Sequence, residues 1–520
     1  MKYLNLKLLF AACMLSSKSL LAQQELVDTA VFNKIRNAEM KTSQIPNIAH
    51  YITDVSGPRL TNSPGFKRAA DWAVATMKKW GLANAALEPW GQFGKNWEIQ
   101  DFSIMMKVPY AQPIMAYPDP WTANTNGLQQ GQITLLTPTQ ARDTTYISQH
   151  LDDFKGKFIL ITGAPINTAD NFKPSATRLT DAELADMKDT YMVTHDQIVQ
   201  YAGVYKTLNK INVLFKKSGA IAIISAGSKN IDGTVFVQSL AGYKLTNPES
   251  LPTVSMALED GQKIKRLIQS GHPVEIALNI NGKLSTADTK GYNVVAEIPG
   301  TDPKLKSQLV MLGGHLDSWS AATGATDNGA GCIVMLEVVR LLDSLNLKPK
   351  RTIRIALWSG EEQGVLGSYN YAKNHFMDAE KYTLKPEQAK VSAYFNLDNG
   401  SGKIRGIFTQ NNEAMKPIFE QWFTPFHDLG AATVTTKNTG STDHLAFDWA
   451  GIPGFQFIQD PLDYETRTHH SNMDSYDHLQ IDDLKQAAII VASFVYQTSV
   501  RPAPLPRKPL VKEPFAFDGL

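Results

Sequence analysis

Three apolar segments, each followed closely by acidic or imidazole side chains, constrain the fold of this chain more than any other feature. They are residues 309–312, 353–358 and 391–397, and a helical apolar pattern at 333–342 lies between the first two. Short apolar runs that alternate with a helix predict buried strands of an α/β sheet. Because ligands bind beyond the carboxyl ends of the strands in such sheets, we expect a functional site where these segments end.

The side chains near those ends, and near the end of a further apolar segment at 454–458, have the chemistry of metal ligands. In chain order they are His315, Asp317, Asp327, Glu361, Glu362, Asp398 and His470. Taken singly, a His-x-Asp pair is most often structural, and a Glu-Glu pair usually belongs to a solvated loop. Their coincidence favours a metal site, and nitrogen and carboxylate ligands without thiolate suit catalytic Zn²⁺.

Two imidazoles and several carboxylates are enough for two ions, with one bridging carboxylate and with one His and one acid on each ion. Asp317 follows His315 by two residues on the same strand, so both side chains are expected on the same face of the sheet. We therefore expect the Asp317 carboxylate to accept the second imidazole N–H of His315 and to fix its tautomer.

Composition limits the possible partners, and the N-terminus indicates export. The 520 residues carry a net charge of +1 with no run of Lys or Arg, which argues against nucleic acid or an anionic membrane as the main partner. Residues 1–22 have the pattern of a secretory signal peptide cleaved after Ala22, and their apolar run is too short to be a transmembrane anchor. Lipidation of Cys13 is a less favoured alternative. Cleavage would leave Cys332 as the remaining cysteine, without a disulfide partner.

The chain changes character twice after this leader. Residues 23–110 contain a helical pattern from Phe66 to Trp80, with Gly81 as its stop, and strand candidates near 86–88 and 102–108 that would begin the α/β sheet. Residues 111–288 are richer in short strands and turns, with a polar helical stretch at 181–209. The α/β pattern then continues over 289–502, and a Pro-rich extended tail follows at 503–520.

The motifs together resemble a known enzyme family. His315-Leu316-Asp317, Thr326 to Gly331, Glu361 to Gly364, Asp398 and His470 to Ser475 are similar to the di-zinc exopeptidases of the bacterial aminopeptidase and glutamate carboxypeptidase type. Gly314 to Trp319, Lys350 to Trp358 and the doubled His469-His470 resemble the plasma glutamate carboxypeptidase (carboxypeptidase Q) branch of that family. The order of strands in 111–288 resembles a protease-associated (PA) domain, for which a lid over the site and a plain insertion are both open.

The resemblance implies an α/β fold, with a mostly parallel central sheet flanked by helices and an inserted β-rich PA-like domain. It also implies two Zn²⁺ per chain, with His315 and Asp398 on one ion, Glu362 and His470 on the other, and Asp327 bridging. Glu361 is then the general base, and the Asp327–Asn328 peptide bond is cis. Two positions depart from the family: residues 320–325 differ from the branch, and His469 stands where the wider family has Tyr.

The function that follows is a secreted or periplasmic metallo-exopeptidase, carboxypeptidase Q-like, that hydrolyses dipeptides or short peptides. A zinc aminopeptidase of the same family is the alternative, because the residues do not decide which terminus is recognised. A receptor-like binding protein on this scaffold and a glutaminyl-cyclase-like enzyme with one zinc are less favoured. Arg467 is a candidate for a substrate carboxylate, although a surface salt bridge is favoured there; His444 is not expected to be a ligand. A homodimer is possible.

Overall fold

Two eight-stranded sheets form the frame of the protein in the computed structural model, which describes residues 25–162, 172–239 and 242–518. The predicted leader and Cys13 lie outside the described residues. The first sheet has the strand order β1-β10-β12-β11-β15-β18-β16-β17. These strands are β1 Ala83–Gln92, β10 Lys290–Ile298, β11 Leu309–His315, β12 Thr352–Trp358, β15 Val391–Asn396, β16 Ile404–Phe408, β17 Thr433–Thr435 and β18 Gly454–Gln459. The neighbours β12, β11, β15 and β18 are parallel, so their carboxyl ends lie at the same edge.

Helices cover this sheet and form its core. The apolar pattern predicted at 333–342 lies in the helix Ala330–Ser344, whose side chains are almost all buried, and this helix packs against Ile481–Val500. The helix Pro64–Trp80 ends at Gly81, which has φ +96°, a left-handed conformation open to glycine. The other helices are Thr29–Thr42, Ile45–His50, Thr144–Gln149, Leu151–Phe154, Asp181–Ala185, His195–Ser218, Leu258–Gln269, Leu366–His375, Lys416–Phe423 and His444–Trp449. A mostly parallel sheet flanked by helices, as predicted, is confirmed.

The second sheet forms the inserted β-rich domain. Its strands, in the spatial order β3-β2-β9-β5-β6-β7-β8-β4, are β2 Asn96–Val108, β3 Gln112–Pro113, β4 Ala116–Pro118, β5 Gln129–Leu136, β6 Phe158–Thr162, β7 Ala222–Ala226, β8 Thr253–Met256 and β9 Glu275–Ser285. A small hairpin of β13 Met377–Asp378 and β14 Thr383–Leu384 lies apart from both sheets. A separate apolar core, which includes Phe158, Ile224, Val254 and Leu278, supports the second sheet.

Two expectations about these segments are wrong. The strand expected near 102–108 to begin the first sheet is part of β2, which pairs along almost its whole length with β9 in the second sheet. The polar stretch at 181–209 is not one helix, because Asp181–Ala185 and His195–Ser218 are separated by a loop. Each of these two helices has its own capping box, at Thr180 and at Thr194, and each box starts a new helix.

From Arg501 to residue 518, where the described residues end, the Pro-rich tail is extended up to a final turn and helix-free, as predicted. Its Arg507 donates hydrogen bonds to main-chain carbonyls of Gly451, Gln388 and Val391, which fixes the tail to the first sheet's domain. Within the described ranges of the chain, we find no helix of sufficient length and apolar character to cross a bilayer.

Candidate metal centre

The predicted site residues converge at one edge of the first sheet because their strands are neighbours. His315 is the last residue of β11, Glu361 and Glu362 follow β12, Asp398 follows β15, and His470 lies beyond β18. Asp327 comes from the segment that enters the helix Ala330–Ser344. The first turn of this helix packs closely against the residue before Asp398. A Cβ on Gly331 would lie 2.1 Å from the main-chain oxygen of Leu397. The Asp327–Asn328 peptide bond is cis, as expected.

The two oxygens of Asp327 face two different pairs of side chains. Oδ1 lies 3.4 Å from His315 Nε2, and the same nitrogen is 3.4 Å from Asp398 Oδ1. Oδ2 lies 3.1 Å from His470 Nε2, which is in turn 3.0 Å from Glu362 Oε2. The carboxylate therefore stands between a His315–Asp398 pair and a His470–Glu362 pair, which is the position of a bridging ligand.

Candidate ligand atoms within 4.8 Å of one another form two groups that share Asp327. One group is His315, Asp327 and Glu362, and the other is Asp327, His469 and His470. His469 Nε2 is 3.9 Å from Asp327 Oδ2, farther than His470 Nε2. His469 was not predicted as a ligand from the sequence, where it stood out only as the replacement of a tyrosine.

The chemistry of the site fits cations. Asp327 Oδ2, Glu362 Oε1 and Asp398 Oδ1 are buried without a hydrogen-bond partner. Burial, with neighbouring carboxylates, raises the pKa of Glu361 and of Glu362 well above the usual range. Burial also acts to raise the pKa of Asp327, but the imidazoles of His470 and His315 outweigh it and lower this pKa. Divalent ions would supply the positive charge that these buried carboxylates need.

Glu361 and Glu362 have different surroundings although they are adjacent. Glu362 Oε2 faces His470, whereas Glu361 Oε2 lies 3.8 Å from His315 Nε2. Both residues line the cleft above the site. Glu362 is therefore a member of a candidate ligand pair, whereas Glu361 belongs to neither of the two pairs.

Asp317 does not hold His315 in the way we expected. Its main-chain oxygen, not its carboxylate, is 3.0 Å from His315 Nδ1, because the chain turns directly after β11; Oδ1 is 3.7 Å away. The carboxylate instead accepts a hydrogen bond from Thr61 Oγ1 at 2.6 Å and faces the N–H groups of Glu361 and Glu362, both at 3.4 Å. Asp317 thus orients the loop that carries both glutamates.

Supporting side chains from distant parts of the sequence complete the site. The buried guanidinium of Arg59 donates to main-chain oxygens of Ile52, Leu316, Thr323 and Gly324, and thereby holds the segment between His315 and Asp327. Asp474 accepts the N–H groups of Thr326 at 2.6 Å and of Asp327 at 3.1 Å. Arg59 belongs to a turn-rich segment and carried no sequence signal of this role. Asp474 was visible only as part of the His470 to Ser475 motif.

A cleft of about 340 Å³ opens above these groups. Its walls include Tyr191 and Tyr205 from the inserted domain, Tyr464 and Glu465 from the loop before His470, and Phe517 from the tail. Arg467 does not line it, and neither does any other Lys or Arg of the described residues. His444 is buried and its Nε2 lies 3.0 Å from the oxygen of Thr439, consistent with a structural role.

Imidazoles and carboxylates gathered around one cleft are the arrangement of a metal-dependent hydrolase. The profile of peptidase family M28 matches residues 293–495. Carboxypeptidase Q of Homo sapiens is 25% identical over 493 residues, which cover 93% of this chain and 89% of that protein.

Solved structures share the fold. The Peptidase M28 precursor of Shewanella amazonensis SB2B has a TM-score of 0.67 at 24% identity, with 92% of this chain and 98% of that chain covered. BSAP, a zinc aminopeptidase from Bacillus subtilis, has a TM-score of 0.54 at 20% identity, with 88% and 96% covered. The chain is a metallopeptidase, and its residues 293–495 are similar to peptidase family M28.

Proposed function

We propose that this protein is an exported di-zinc exopeptidase that hydrolyses dipeptides or short peptides. The observation that carries the proposal is the position of Asp327, whose two oxygens face the His315–Asp398 pair and the His470–Glu362 pair. Each pair supplies one imidazole and one carboxylate, which together with a shared carboxylate give three protein ligands for each ion. Catalytic zinc sites commonly have three protein ligands and one open position.

Bound there, two zinc ions would acidify a water molecule and polarise the scissile carbonyl. Glu361 supplies the proton transfer in this proposal. Its carboxylate lines the cleft and is a member of neither ligand pair, so it is placed to take a proton from the attacking water and return it to the leaving amine. Asp317 contributes indirectly, because its carboxylate faces the main-chain N–H groups of Glu361 and Glu362 and so orients both.

The size of the cleft favours short substrates. A volume of about 340 Å³ is at the lower end of ligand pockets, for which roughly 300–1,000 Å³ is typical. Tyr191 and Tyr205 from the inserted domain close one side, and Phe517 closes another. The inserted domain therefore acts as a wall of the substrate site in this proposal, rather than as a remote insertion.

An aminopeptidase activity is the second candidate, and one observation favours it. A carboxypeptidase usually needs a cation for the substrate carboxylate, and no Lys or Arg side chain lines the described part of the cleft. Glu465 does line it and accepts a hydrogen bond from the Tyr191 hydroxyl at 2.9 Å. A carboxylate at this position suits the α-ammonium group of a dipeptide or short peptide.

The test is hydrolysis of matched substrates by the zinc-loaded protein. A free dipeptide, its N-acetylated form and its C-amidated form should be compared, with a chelator-treated sample as the control. Cleavage of the free and amidated forms, with loss of the acetylated one, identifies an aminopeptidase. Cleavage that requires the free carboxylate identifies a carboxypeptidase, and failure to cleave any small peptide contradicts the proposal.

Export and assembly complete the proposal. The pattern of residues 1–22 supports secretion or a periplasmic location. N-terminal sequencing of the mature protein should start at Gln23, whereas a chain that starts at a lipidated Cys13 would show a lipoprotein instead. A homodimer remains a prediction, and light scattering on the purified protein measures it.

A further inference from the structure

One edge of the inserted domain, residues 233–238, pairs with the loop that carries His470. Val237 donates its N–H to the oxygen of His470 at 2.9 Å, and the oxygen of Val235 accepts the N–H of Asn472 at 3.1 Å. The Asn472 side chain strengthens the contact, because its Oδ1 accepts the Val235 N–H at 2.6 Å and its Nδ2 donates to Gly233 at 3.1 Å. The inserted domain is therefore joined to the main chain of a candidate ligand.

This pairing lies at a residue with an unusual backbone conformation. His470 has φ +62°, a left-handed conformation that non-glycine residues adopt rarely and that surrounding contacts must enforce. Hydrogen bonds to Val237 at the carbonyl of His470, and to Val235 two residues later, hold the loop at the bend and directly after it. The contacts fix the direction in which the His470 ring points.

The side chain of Gln238 reaches the ring itself. Its amide nitrogen, Nε2, contacts Nδ1 of His470. The Nε2 of His470, on the other side of the ring, faces Glu362 at 3.0 Å and Asp327 at 3.1 Å. An imidazole that gives its Nε2 lone pair to a cation carries its proton on Nδ1. A half-turn rotation of the Gln238 amide exchanges its nitrogen and oxygen, and in that orientation Oε1 accepts this proton.

We propose that Gln238 is a positioning residue of the metal centre, through which the inserted domain fixes the tautomer and orientation of His470. The inference rests on the proposed metal centre but not on which peptide is cleaved. It gives the inserted domain a role in metal retention, in addition to the wall formed by Tyr191 and Tyr205. No stretch of the peptidase sequence around His470 would reveal this partner, since Gln238 precedes it by more than two hundred residues.

The test measures zinc release from the loaded full-length protein into a chromogenic chelator. Gln238→Leu removes the acceptor and should accelerate release of one of the two ions by about 10–100-fold, with the other ion unaffected. Gln238→Glu keeps an acceptor and should release zinc no faster than the wild type. The matched control is Gln130→Leu, an exposed glutamine of the same domain that bonds Glu275, far from the site. The rate of zinc release from this control should equal that of the wild type.

Two further readouts separate positioning from a general weakening of the fold. The cobalt-substituted protein should show a changed visible spectrum in Gln238→Leu and the wild-type spectrum in Gln238→Glu. Metal-free Gln238→Leu should melt at the wild-type temperature; if it melts earlier, Gln238→Met, which has a similar length and only a weak acceptor, takes its place.

The inference is overturned if Gln238→Leu releases zinc at the wild-type rate. It is also overturned if Gln238→Glu accelerates zinc release as much as Gln238→Leu does. A wild-type protein that binds two zinc ions but cleaves no peptide would overturn the proposed function and leave this result standing. A wild-type protein that takes up no zinc would overturn both.

Discussion

In our proposal, the adjacent residues Glu361 and Glu362 have separate tasks. The carboxylate of Glu362 is 3.0 Å from His470 Nε2 and belongs to a candidate ligand pair, whereas that of Glu361 belongs to none. Their main-chain N–H groups are both oriented by Asp317, so neither task depends on a flexible loop. The division assigns proton transfer to one residue and metal retention to the other.

Glu361→Gln should therefore keep the shape of the site and its zinc while losing the base. We expect kcat to fall by about 10²–10⁴-fold with KM nearly unchanged, because a positioned general base typically contributes that factor. Steady-state kinetics with elemental analysis on the same preparation provides the measurement. Glu362→Gln is the matched control and should lose zinc. Near wild-type kcat in Glu361→Gln, or zinc loss in that variant rather than in its neighbour, would show that the roles are wrong.

Arg59 should be as important for the site as a ligand, although it faces no substrate. Its buried guanidinium donates to four main-chain oxygens of the segments at 52 and 316–324. Arg59→Met leaves those oxygens without partners, and unsatisfied buried groups cost roughly 1–3 kcal/mol each. We expect a fall of several kcal/mol in the free energy of unfolding, measured by denaturant titration. Arg142→Met, at an exposed position, serves as control; equal stability of both variants would contradict the role of Arg59.

Residue identities at the site could be predicted from the sequence, but their hydrogen-bond partners could not. His315, Asp327, Glu362, Asp398 and His470 follow or precede recognisable elements, and parallel strands bring them together. The partner of His315 was expected to be the Asp317 carboxylate and is the main-chain oxygen of that residue. Such choices depend on the local path of the chain within about one ångström, which residue type and spacing do not fix.

At the scale of elements, the helix Ala330–Ser344 joins the site to the core. It begins just after Asp327 and buries its apolar side chains against the sheet and the helix Ile481–Val500. Its one fully buried acid, Glu337, pairs with Arg340 at 2.5 Å and receives the N–H of Gln44 at 3.0 Å. Glu39, from the helix Thr29–Thr42, is buried beside this pair, and neither of its carboxylate oxygens has a hydrogen-bond partner.

The stability of this helix contact should depend on pH. Burial and the neighbouring Glu337 carboxylate raise the pKa of Glu39 from 4.5 to about 8, while Arg340 acts in the opposite direction. A pKa raised in the folded state means that the contribution of Glu39 is fully present below about pH 4.5 and is lost as the pH rises through 8. Glu39→Gln should remove this loss, which is a few kcal/mol because one pKa unit corresponds to about 1.4 kcal/mol.

The measurement is the melting temperature of the wild type and Glu39→Gln from pH 5 to pH 9, in the zinc-loaded state. The difference between the two should grow in favour of the variant as the pH rises. Glu420→Gln, an exposed acid on the helix Lys416–Phe423, is the control and should follow the wild type. A constant difference across this range would show that Glu39 keeps its ordinary pKa.

The types of the long elements could be predicted from periodicity, but their sheet membership could not. The helices Pro64–Trp80 and Ala330–Ser344 were evident from their apolar spacing and, for the first, from Gly81. Strand β2 was expected in the wrong sheet because its partner β9 is about 180 residues away, from Asn96↔Ser285 to Val108↔Glu275. Nothing in the local pattern of a strand encodes so distant a partner.

At the scale of the whole molecule, two domains with separate cores share one site. The first sheet's domain supplies the candidate ligands, and the inserted domain supplies Tyr191 and Tyr205 to the cleft and Gln238 to His470. From the sequence, a lid over the site and a plain insertion were both open for the inserted domain. The inserted domain is joined to the loop after β18 by several hydrogen bonds. These contacts favour a domain that takes part in the site.

Removal of metal should destabilise the whole chain. Without metal, four buried carboxylates would lose the positive charge that neutralises them. The folded state would also lose the free energy of metal binding, which is about 4 kcal/mol for a ligand present at 1,000 times its Kd. We expect chelation to lower the melting temperature of the wild type and of Glu361→Gln by similar amounts, since our proposal assigns Glu361 to neither ion. Asp327→Ala should show almost no shift on chelation. A wild-type melting temperature that is insensitive to chelator would contradict the metal centre.

The central claim is that Asp327 lies between two zinc ions, and anomalous diffraction at the zinc edge from crystals of the active protein tests it most directly. We predict two peaks, one beside His315 and Asp398 and the other beside His470 and Glu362, with an oxygen of Asp327 on each. The dissolved crystals should first be shown to be fully active. A single peak, or a second peak that Asp327 does not contact, would then contradict this account.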